Sequence, residues 1–196
     1  MAADVQCASH QGQGRIREDP GVPTPLLVIV TGMPSSGKTT IAEHLSRELQ
    51  LPLIAKDEIK ESLYDTLGAV DVDSSGRLGN AAYGLIFALA RASIASGVSL
   101  VVEANFFADH ASVFDALPSC RVLQIHCSAP LEVLLERYAS RKRHPGHHDA
   151  DKIALLPVRH ATGAHEPLNL KGELIELDTS REVDIGGLVA RVRTQL

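Results

Sequence analysis

Residues 31–40 read TGMPSSGKTT, and they match the pattern G-x-x-x-x-G-K-S/T at Gly32, Gly37, Lys38 and Thr39. In a phosphate-binding loop of this kind, glycines let the backbone turn tightly around a polyphosphate while successive N–H groups point inward. Lys38 is predicted to neutralise the β- and γ-phosphates, and the Thr39 hydroxyl is predicted to bind Mg²⁺. The predicted nucleotide-binding residues are therefore Gly32, Met33, Pro34, Ser35, Ser36, Gly37, Lys38, Thr39 and Thr40.

The segments on either side of this loop support the match. Leu26–Val30 is a continuous apolar run, which is typical of a strand that is buried on both faces. Thr40–Gln50 places Ile41, Leu45 and Leu49 on one face of a predicted helix. A glycine turn with an incidental lysine would explain the loop alone. The order of strand, loop and helix, however, is the order that phosphate binding requires.

The composition limits the classes of protein to which the chain can belong. With 196 residues and 44% hydrophobic content, we expect one domain over Leu26–Leu196. Met1–Pro25 lacks a periodic apolar pattern, so we expect it to be a disordered leader. The formal net charge of -5 argues against a general nucleic-acid binder.

Cysteine usage and hydropathy indicate a compartment. Cys7, Cys120 and Cys127 lack the spacing of a metal site and leave one cysteine unpaired in any disulfide scheme, which favours a reducing cytosol. No signal-peptide pattern follows Met1, and the longest apolar stretch, Ala81–Ala90, is too short to span a bilayer. We therefore expect a soluble, cytoplasmic protein with no membrane partner.

A second predicted strand, Leu51–Ala55, is followed directly by Lys56 and Asp57, at the strand end where open α/β sheets bind their ligands. Two roles for Asp57 stay open. Its carboxylate can cap the predicted helix Glu58–Leu67 by accepting a backbone N–H. It can also take the proton from an acceptor hydroxyl as the γ-phosphoryl group leaves ATP.

The next segment is predicted to be a loop followed by a long helix. Val70–Gly79 is rich in aspartate, serine and glycine, and we expect a solvated loop there. It resembles the start of a calcium loop, but Ala82 stands where the final Glu is needed. Asn80–Ser96 is apolar around much of its circumference, which predicts a helix packed across the sheet with little exposed face.

The third predicted strand, Ser99–Val102, is followed by Glu103, which resembles the Walker B position and would hold the water shell of Mg²⁺. Two interpretations of the residues after it stay open. Asn105, Phe106 and Phe107 line the acceptor site, or the two phenylalanines pack under the predicted helix 109–117.

The predicted strand Cys120–His126 is followed by a helix that begins at Pro130 and has a basic far end. Its arginines are Arg137, Arg141 and Arg143, and the first two are predicted to lie one turn apart on one face. Cations at a helix C-terminus are favourable in any case. A basic segment followed by Pro145-Gly146 also suits a mobile lid that carries guanidinium groups over a transferring phosphate.

Three nearby histidines, His144, His147 and His148, raise the possibility of zinc, with oxygen ligands from Asp149 and Asp151. Pro145 and Gly146 separate His144 from His148, so their four-residue spacing is not helical, and no cysteine pair is nearby; both points argue against zinc. The last strand is predicted over 173–177, and Asp184 is predicted to cap a terminal helix. Five strands that alternate with helices predict a parallel sheet with helices on both faces.

From Leu26 to Leu196 the chain resembles the small P-loop kinases of the AAA_33 type, relatives of chloramphenicol phosphotransferase and zeta toxin. The matching stretches are TGMPSSGKTT, LIAKDEIK, VVEANF and RYASRKRHPGHHD. The resemblance implies a P-loop NTPase three-layer α/β sandwich with the strand order 2-3-1-4-5, a Mg·ATP donor, and a hydroxyl-bearing acceptor. Asp57 matches the acidic base of that family, and Arg137, Arg141 or Arg143 match its lid arginines.

The resemblance does not fix the acceptor, and two other function classes stay open. A nucleotide-dependent ATPase or switch would keep Gly32–Thr39 and Glu103 but would need a residue that positions water. A binding module would use ATP structurally and dock RNA or an acidic protein on residues 137–148. For the kinase we expect a small hydroxylated acceptor, no stable nucleic-acid partner, and a monomer or homodimer.

Overall fold

The computed structural model describes residues 24–68, 71–147 and 152–196. Its five strands form one parallel sheet in the order β2-β3-β1-β4-β5, which is the order that the resemblance implies. The predicted leader falls outside the described residues, apart from Thr24 and Pro25. The strands are β1 Leu26–Gly32, β2 Leu53–Ala55, β3 Leu100–Glu103, β4 Arg121–Ser128 and β5 Glu173–Asp178.

Most helices lie close to their predicted places, but the long helix before the third strand begins earlier than predicted, and the helix Leu156–Ala161 was not predicted. Short 3₁₀ turns at Ala108–His110, Pro145–His147 and Ile153–Leu155 join some of them. The Asp184 carboxylate accepts the Gly187 N–H at 2.9 Å, so it caps the last helix as predicted. The helices are α1 Lys38–Leu49, α2 Lys56–Leu67, α3 Val72–Ala95, α4 Ala111–Asp115, α5 Leu131–Ser140, α6 Leu156–Ala161 and α7 Ile185–Arg193.

The central strand β1 is buried along its whole length. Successive side chains of a strand point to opposite faces, so β1 contributes to two hydrophobic clusters. Val28 packs with residues of α1 and α7, including Leu45 and Val192. Ile29 packs on the other face with residues of α3 and α4, such as Ile86. Because both faces are covered, the strand reads as a continuous apolar run.

Helix α3 begins eight residues earlier than the sequence predicted. The Asp71 carboxylate accepts the Ser74 N–H at 2.7 Å, and the Ser74 hydroxyl bonds back to the Asp71 N–H at 3.1 Å. This capping box satisfies donors that a helix start otherwise leaves open. The prediction of a solvated loop over Val70–Gly79 was therefore wrong for residues 72–79, which are helical despite Gly76 and Gly79.

The prediction that α3 shows little exposed face was also wrong. Ile86 and Ile94 pack against the sheet, but the opposite side leaves Leu85 42% and Leu89 47% exposed. By length and composition alone, α3 is long and apolar enough to cross a membrane. It is longer than the apolar stretch Ala81–Ala90 that the sequence analysis considered. A helix that packs on the core of a soluble protein passes the same test, and α3 packs on β3.

Candidate active site

The turn between β1 and α1 requires glycine at both of its ends. Gly32 has φ +144°, and a Cβ atom there would lie 2.1 Å from the carbonyl oxygen of Cys127 on β4. Gly37 has φ +79° and is the N-cap residue of α1. Other residues adopt these conformations only with strain. The glycine spacing in the sequence thus corresponds to a tight loop pressed against the neighbouring strand.

The loop is suited to an anion. Within the described residues no side chain caps α1, so the N–H groups of its first turn remain available for a ligand. The hydroxyls of Ser35 and Ser36 are buried and have no hydrogen-bond partner in that part of the chain. The Ser36 carbonyl accepts a hydrogen bond from the Thr179 hydroxyl at 2.9 Å, which fixes the loop to the end of β5. These donors fit a polyphosphate.

Lys38 and Glu103 meet beneath this loop. The Lys38 ammonium lies 3.5 Å from Glu103 Oε1, and both side chains are nearly inaccessible to solvent. Strand pairing explains the contact, because Glu103 lies beside Val30 in the register of β3 and β1. Burial raises the pKa of Glu103, and the positive charge of Lys38 opposes that rise. Among the described residues no group of three or more His, Cys, Asp or Glu side chains converges on a metal site.

Asp57 is not a helix cap, so that interpretation was wrong. Helix α2 begins directly after β2 with Ala55 as its N-cap, which places Asp57 inside the first turn. Its carboxylate forms an ion pair with Arg143 and lies 3.9 Å from the Lys56 ammonium. Burial would raise the pKa of Asp57, but the charges of Arg143, Lys38 and Lys56 outweigh it and lower the pKa to about 2.

The three predicted lid arginines line one cleft with the phosphate-binding loop. Arg141 is the C-cap residue of α5, and its N–H donates to the Arg137 carbonyl at 3.2 Å, so these two arginines lie one helical turn apart, as predicted. Helix α5 ends at Ser140, and Arg141 has the extended backbone ψ of 141°. The extended chain brings Arg143 onto Asp57, and Pro145 disfavours helix at the residue before it. This phosphate cleft has a volume of about 290 Å³ and is lined by Ser35, Gly37, Lys38, Thr39, Thr40, Asp57, Arg137, Arg141 and Arg143.

Each of these arginines has a different neighbour. Arg137 donates to the Thr179 carbonyl at 2.7 Å and to the Thr179 hydroxyl at 3.2 Å. The Arg141 guanidinium lies 4.0 Å from the centre of the Tyr138 ring, a cation–π geometry.

Of the other predicted loop residues, Met33 packs in a small apolar cluster with Leu134 and Tyr138.

Acidic residues on one face of α2 hold the chain after α5. Asp57, Glu61 and Asp65 follow one another at four-residue intervals, so they lie on the same face of the helix. They pair with Arg143, His147 and His144, the last two at 2.7 and 3.0 Å. We call residues 141–147 the docked segment. Because its two histidines have separate carboxylate partners, they do not form a zinc site; His148, Asp149 and Asp151 lie outside the described residues.

A second space, the basic cavity, adjoins the phosphate cleft and has a volume of about 240 Å³. Asp57 lies on the boundary, because it lines both spaces. Asn105 and Phe107 line the basic cavity, whereas Phe106 is fully buried and stacks edge-on against Phe114 with the ring centres 5.0 Å apart. The packing interpretation is therefore correct for Phe106, and the acceptor-site interpretation stays a prediction for Asn105 and Phe107.

The sequence analysis placed Lys56 at the ligand-binding end of β2 but missed Lys60, Lys152 and Arg159 of this cavity. Lys56 and Lys60 come from α2, Lys152 follows the docked segment, and Arg159 comes from α6. Only the spacing of Lys56 and Lys60, one helical turn apart, was visible in the sequence. Lys152 and Arg159 reach the cavity through the fold, so no local pattern marks them.

The comparisons with known proteins agree with this geometry. The model of the AAA_33 family, described as an AAA domain, matches residues 27–161, and the chain belongs to that family. Its fold is that of a kinase-like P-loop NTPase. A search of the curated proteins finds no significant match.

Several solved structures share the fold. The crystal structure of a "putative kinase from chloroflexus aurantiacus j-10-fl" is 35% identical, covers 88% of this chain and 99% of its own, and has a TM-score of 0.80. A sugar kinase from Janibacter sp. HTCC2649 is 22% identical, with coverages of 88% and 94% and a TM-score of 0.57. The structure of APE1195 is also 22% identical, with coverages of 88% and 95% and a TM-score of 0.58. The last two show the fold alone.

Proposed function

We propose that this protein is an ATP- and Mg²⁺-dependent phosphotransferase that moves the γ-phosphoryl group of ATP to a hydroxyl group of a small-molecule acceptor. The observation that carries the proposal is the position of Asp57, which borders both the phosphate cleft and the basic cavity. A carboxylate at this boundary can contact an acceptor hydroxyl in one space while the γ-phosphate lies in the other. Such positioning accounts for much of catalysis in phosphoryl transfer.

In the proposed reaction the acceptor oxygen forms a bond to the γ-phosphorus, and the bond from that phosphorus to the β–γ bridging oxygen breaks, so that ADP leaves. The acceptor's proton passes to Asp57. While it is paired with Arg143, Asp57 has a pKa of about 2 and is a weak base. Transfer of Arg143 from Asp57 to the γ-phosphoryl group would strengthen the base and stabilise the developing negative charge in one movement.

Thr39 and Glu103 are the proposed residues for Mg²⁺ or its water shell. Both lie beside the loop, and Mg²⁺ characteristically takes one or two protein ligands while phosphates and water supply the others. The bound ion would neutralise charge on the β- and γ-phosphates. Lys38, whose one carboxylate partner among the described residues is Glu103 at 3.5 Å, would leave that contact for the same phosphates.

The relative that is 35% identical bears a kinase name, and this name supports a phosphotransferase. The sugar kinase is more distant and supports only the use of this fold by kinases. An ATPase would require a residue that positions water for attack on the γ-phosphate, and no sequence motif identifies one.

The test is ADP release measured with and without a panel of hydroxylated metabolites and antibiotics. We expect release to depend on one class of acceptor and a phosphorylated product to appear by mass spectrometry in equal amount. Lys38→Met should abolish the reaction, whereas Lys171→Met, which removes an exposed lysine outside both spaces, should not. Equal ADP release with and without every acceptor, with no phosphorylated product, would contradict the proposal.

A further inference from the structure

The basic cavity carries a large excess of positive charge. Its described lining includes seven Lys or Arg side chains and one carboxylate, that of Asp57, although the whole chain has a formal net charge of -5. Three of these cations, Lys38, Arg141 and Arg143, also line the phosphate cleft. The phosphates of ATP would neutralise their charge. The cations that line the basic cavity alone are Lys56, Lys60, Lys152 and Arg159.

Lys60 has the smallest solvent-exposed fraction of these. Its residue is 4% exposed, and its ammonium donates to the Ser75 hydroxyl at 2.8 Å. In the described part of the chain it forms no ion pair. The Ser75 hydroxyl in turn donates to the Gly146 carbonyl at 2.8 Å. Because a serine hydroxyl is neutral, Ser75 supplies no counter-charge for Lys60. Burial, together with the charges of Lys152 and Lys56, lowers the pKa of Lys60 to about 7.

The groups that the structure describes around Lys60 do not neutralise it. Lys152 approaches the same Ser75 hydroxyl at 3.4 Å and adds a second positive charge. Lys56 lies over the Tyr83 ring, 5.0 Å from its centre, and its nearest carboxylate, Asp57, is already paired with Arg143. Arg159 forms no ion pair among the described residues. A buried charge without a counter-ion is costly unless a ligand supplies one.

We propose that the phosphoryl acceptor itself carries an anionic group, a carboxylate or a phosphate ester, which binds Lys60, Lys56 and Arg159 in the basic cavity. The inference rests on the proposed phosphotransferase function and names the class of its substrate. The anion binds cations that line the basic cavity but not the phosphate cleft, and the hydroxyl that receives the phosphoryl group points to Asp57, which lines both. Tyr83, Asn105 and Phe107 form the part of the wall that contacts the uncharged body of the acceptor.

The experiment compares neutral acceptors with related compounds that carry a carboxylate or a phosphate ester. Glycerol, glycerate and glycerol 3-phosphate form one set, and glucose, gluconate and glucose 6-phosphate form another. We expect the carboxylate or the phosphate member to have a kcat/KM at least about 10-fold above that of its neutral parent, since charge-assisted hydrogen bonds are the strong ones. Comparison of the two anionic members shows which anion the cavity takes.

Two variants assign the effect to the cavity. Lys60→Met keeps a long side chain but removes the charge, and we expect it to raise the KM for the anionic acceptor about 10-fold or more. Arg159→Gln is a second variant, at a partly exposed position. We expect it also to raise the KM for the anionic acceptor. Lys171→Met is the matched control and should leave selectivity unchanged. A preference for the neutral parents would overturn the inference of an anionic acceptor, and so would anion selectivity that both cavity variants retain. Neither result would overturn the proposed phosphotransferase function.

Calorimetric titration of the same compounds separates this inference from the proposed function. If no compound is phosphorylated but the anionic members bind wild-type protein and fail to bind Lys60→Met, the phosphotransferase proposal fails and the anion site stands. If neutral compounds are phosphorylated and the anionic ones neither react nor bind, the function stands and the anionic acceptor is excluded. If nothing binds and nothing reacts, both proposals fail.

Discussion

The Asp57 carboxylate on α2 forms an ion pair with Arg143 of the docked segment. The pair joins the proposed base to the proposed lid, so one contact controls both. While it persists, the pKa of Asp57 is held at about 2 and the segment lies against α2. A polyphosphate in the cleft competes for Arg143, because guanidinium groups pair with phosphate as readily as with carboxylate. Nucleotide binding is therefore expected to release Asp57 for proton transfer.

Replacing Lys38 tests the phosphate-binding loop. Lys38→Met should abolish nucleotide turnover, because the ammonium acts on the phosphates, while circular dichroism should report an unchanged fold. The same change leaves the Glu103 carboxylate buried without its ion-pair partner, so we also expect the melting temperature to fall further below that of wild type at neutral pH than at acidic pH, where Glu103 is protonated. A folded Lys38→Met protein with wild-type turnover would exclude the assignment.

Replacing Asp57 tests the general base. Asp57→Asn should lower phosphoryl transfer about 100-fold or more while ATP still binds, as measured by nucleotide titration. Glu61→Gln is the matched control, because Glu61 lies one turn away on the same face of α2 and pairs with His147. Equal losses in both variants would mean that the acidic face only docks the segment and that proton transfer occurs elsewhere.

The pH profile of an Arg143 variant tests the ion pair. Arg143 is the main positive charge that lowers the pKa of Asp57, so its removal in Arg143→Gln should raise that pKa. Asp57 then becomes protonated at a higher pH, and the acid limb of kcat/KM, which reports ionisation of the free enzyme, should move to higher pH. Lys142→Gln removes the same charge from an exposed neighbour and should leave the limb in place. An acid limb at the same pH in Arg143→Gln and wild type would refute the coupling.

The fold and the phosphate-binding loop were predictable because each depends on consecutive residues. Buried parallel strands read as apolar runs, and the glycines of residues 32–37 encode the loop directly. The start of α3 was missed because Asp71 and Ser74 resemble loop residues until the capping box is recognised. The basic cavity was hidden for another reason: Lys60, Lys152 and Arg159 are far apart in the chain, and only tertiary structure brings them together.

Single replacements of the lid arginines test their part in catalysis. The three side chains line the phosphate cleft, and a guanidinium that acts on the transferring group stabilises the transition state more than bound ATP. At least one of Arg137→Ala, Arg141→Ala and Arg143→Ala should therefore lower kcat far more than it weakens ATP binding. Unchanged kcat in all three would mean that these arginines belong to a helix end without a catalytic role.

Gly146 provides a test of whether the docked segment moves. A Cβ atom at Gly146 would lie 2.7 Å from the Tyr64 ring on α2, so Gly146→Ala should push the segment away from α2. We expect trypsin to cleave after Arg141 or Arg143 faster in this variant than in wild type, and the double variant with Tyr64→Ala to restore the slow rate. In wild type, cleavage should slow further when Mg·ATP and an acceptor are added, because closure shields the segment. Cleavage at one rate in all three proteins, with and without ligands, would show that docking on α2 does not control access to the site.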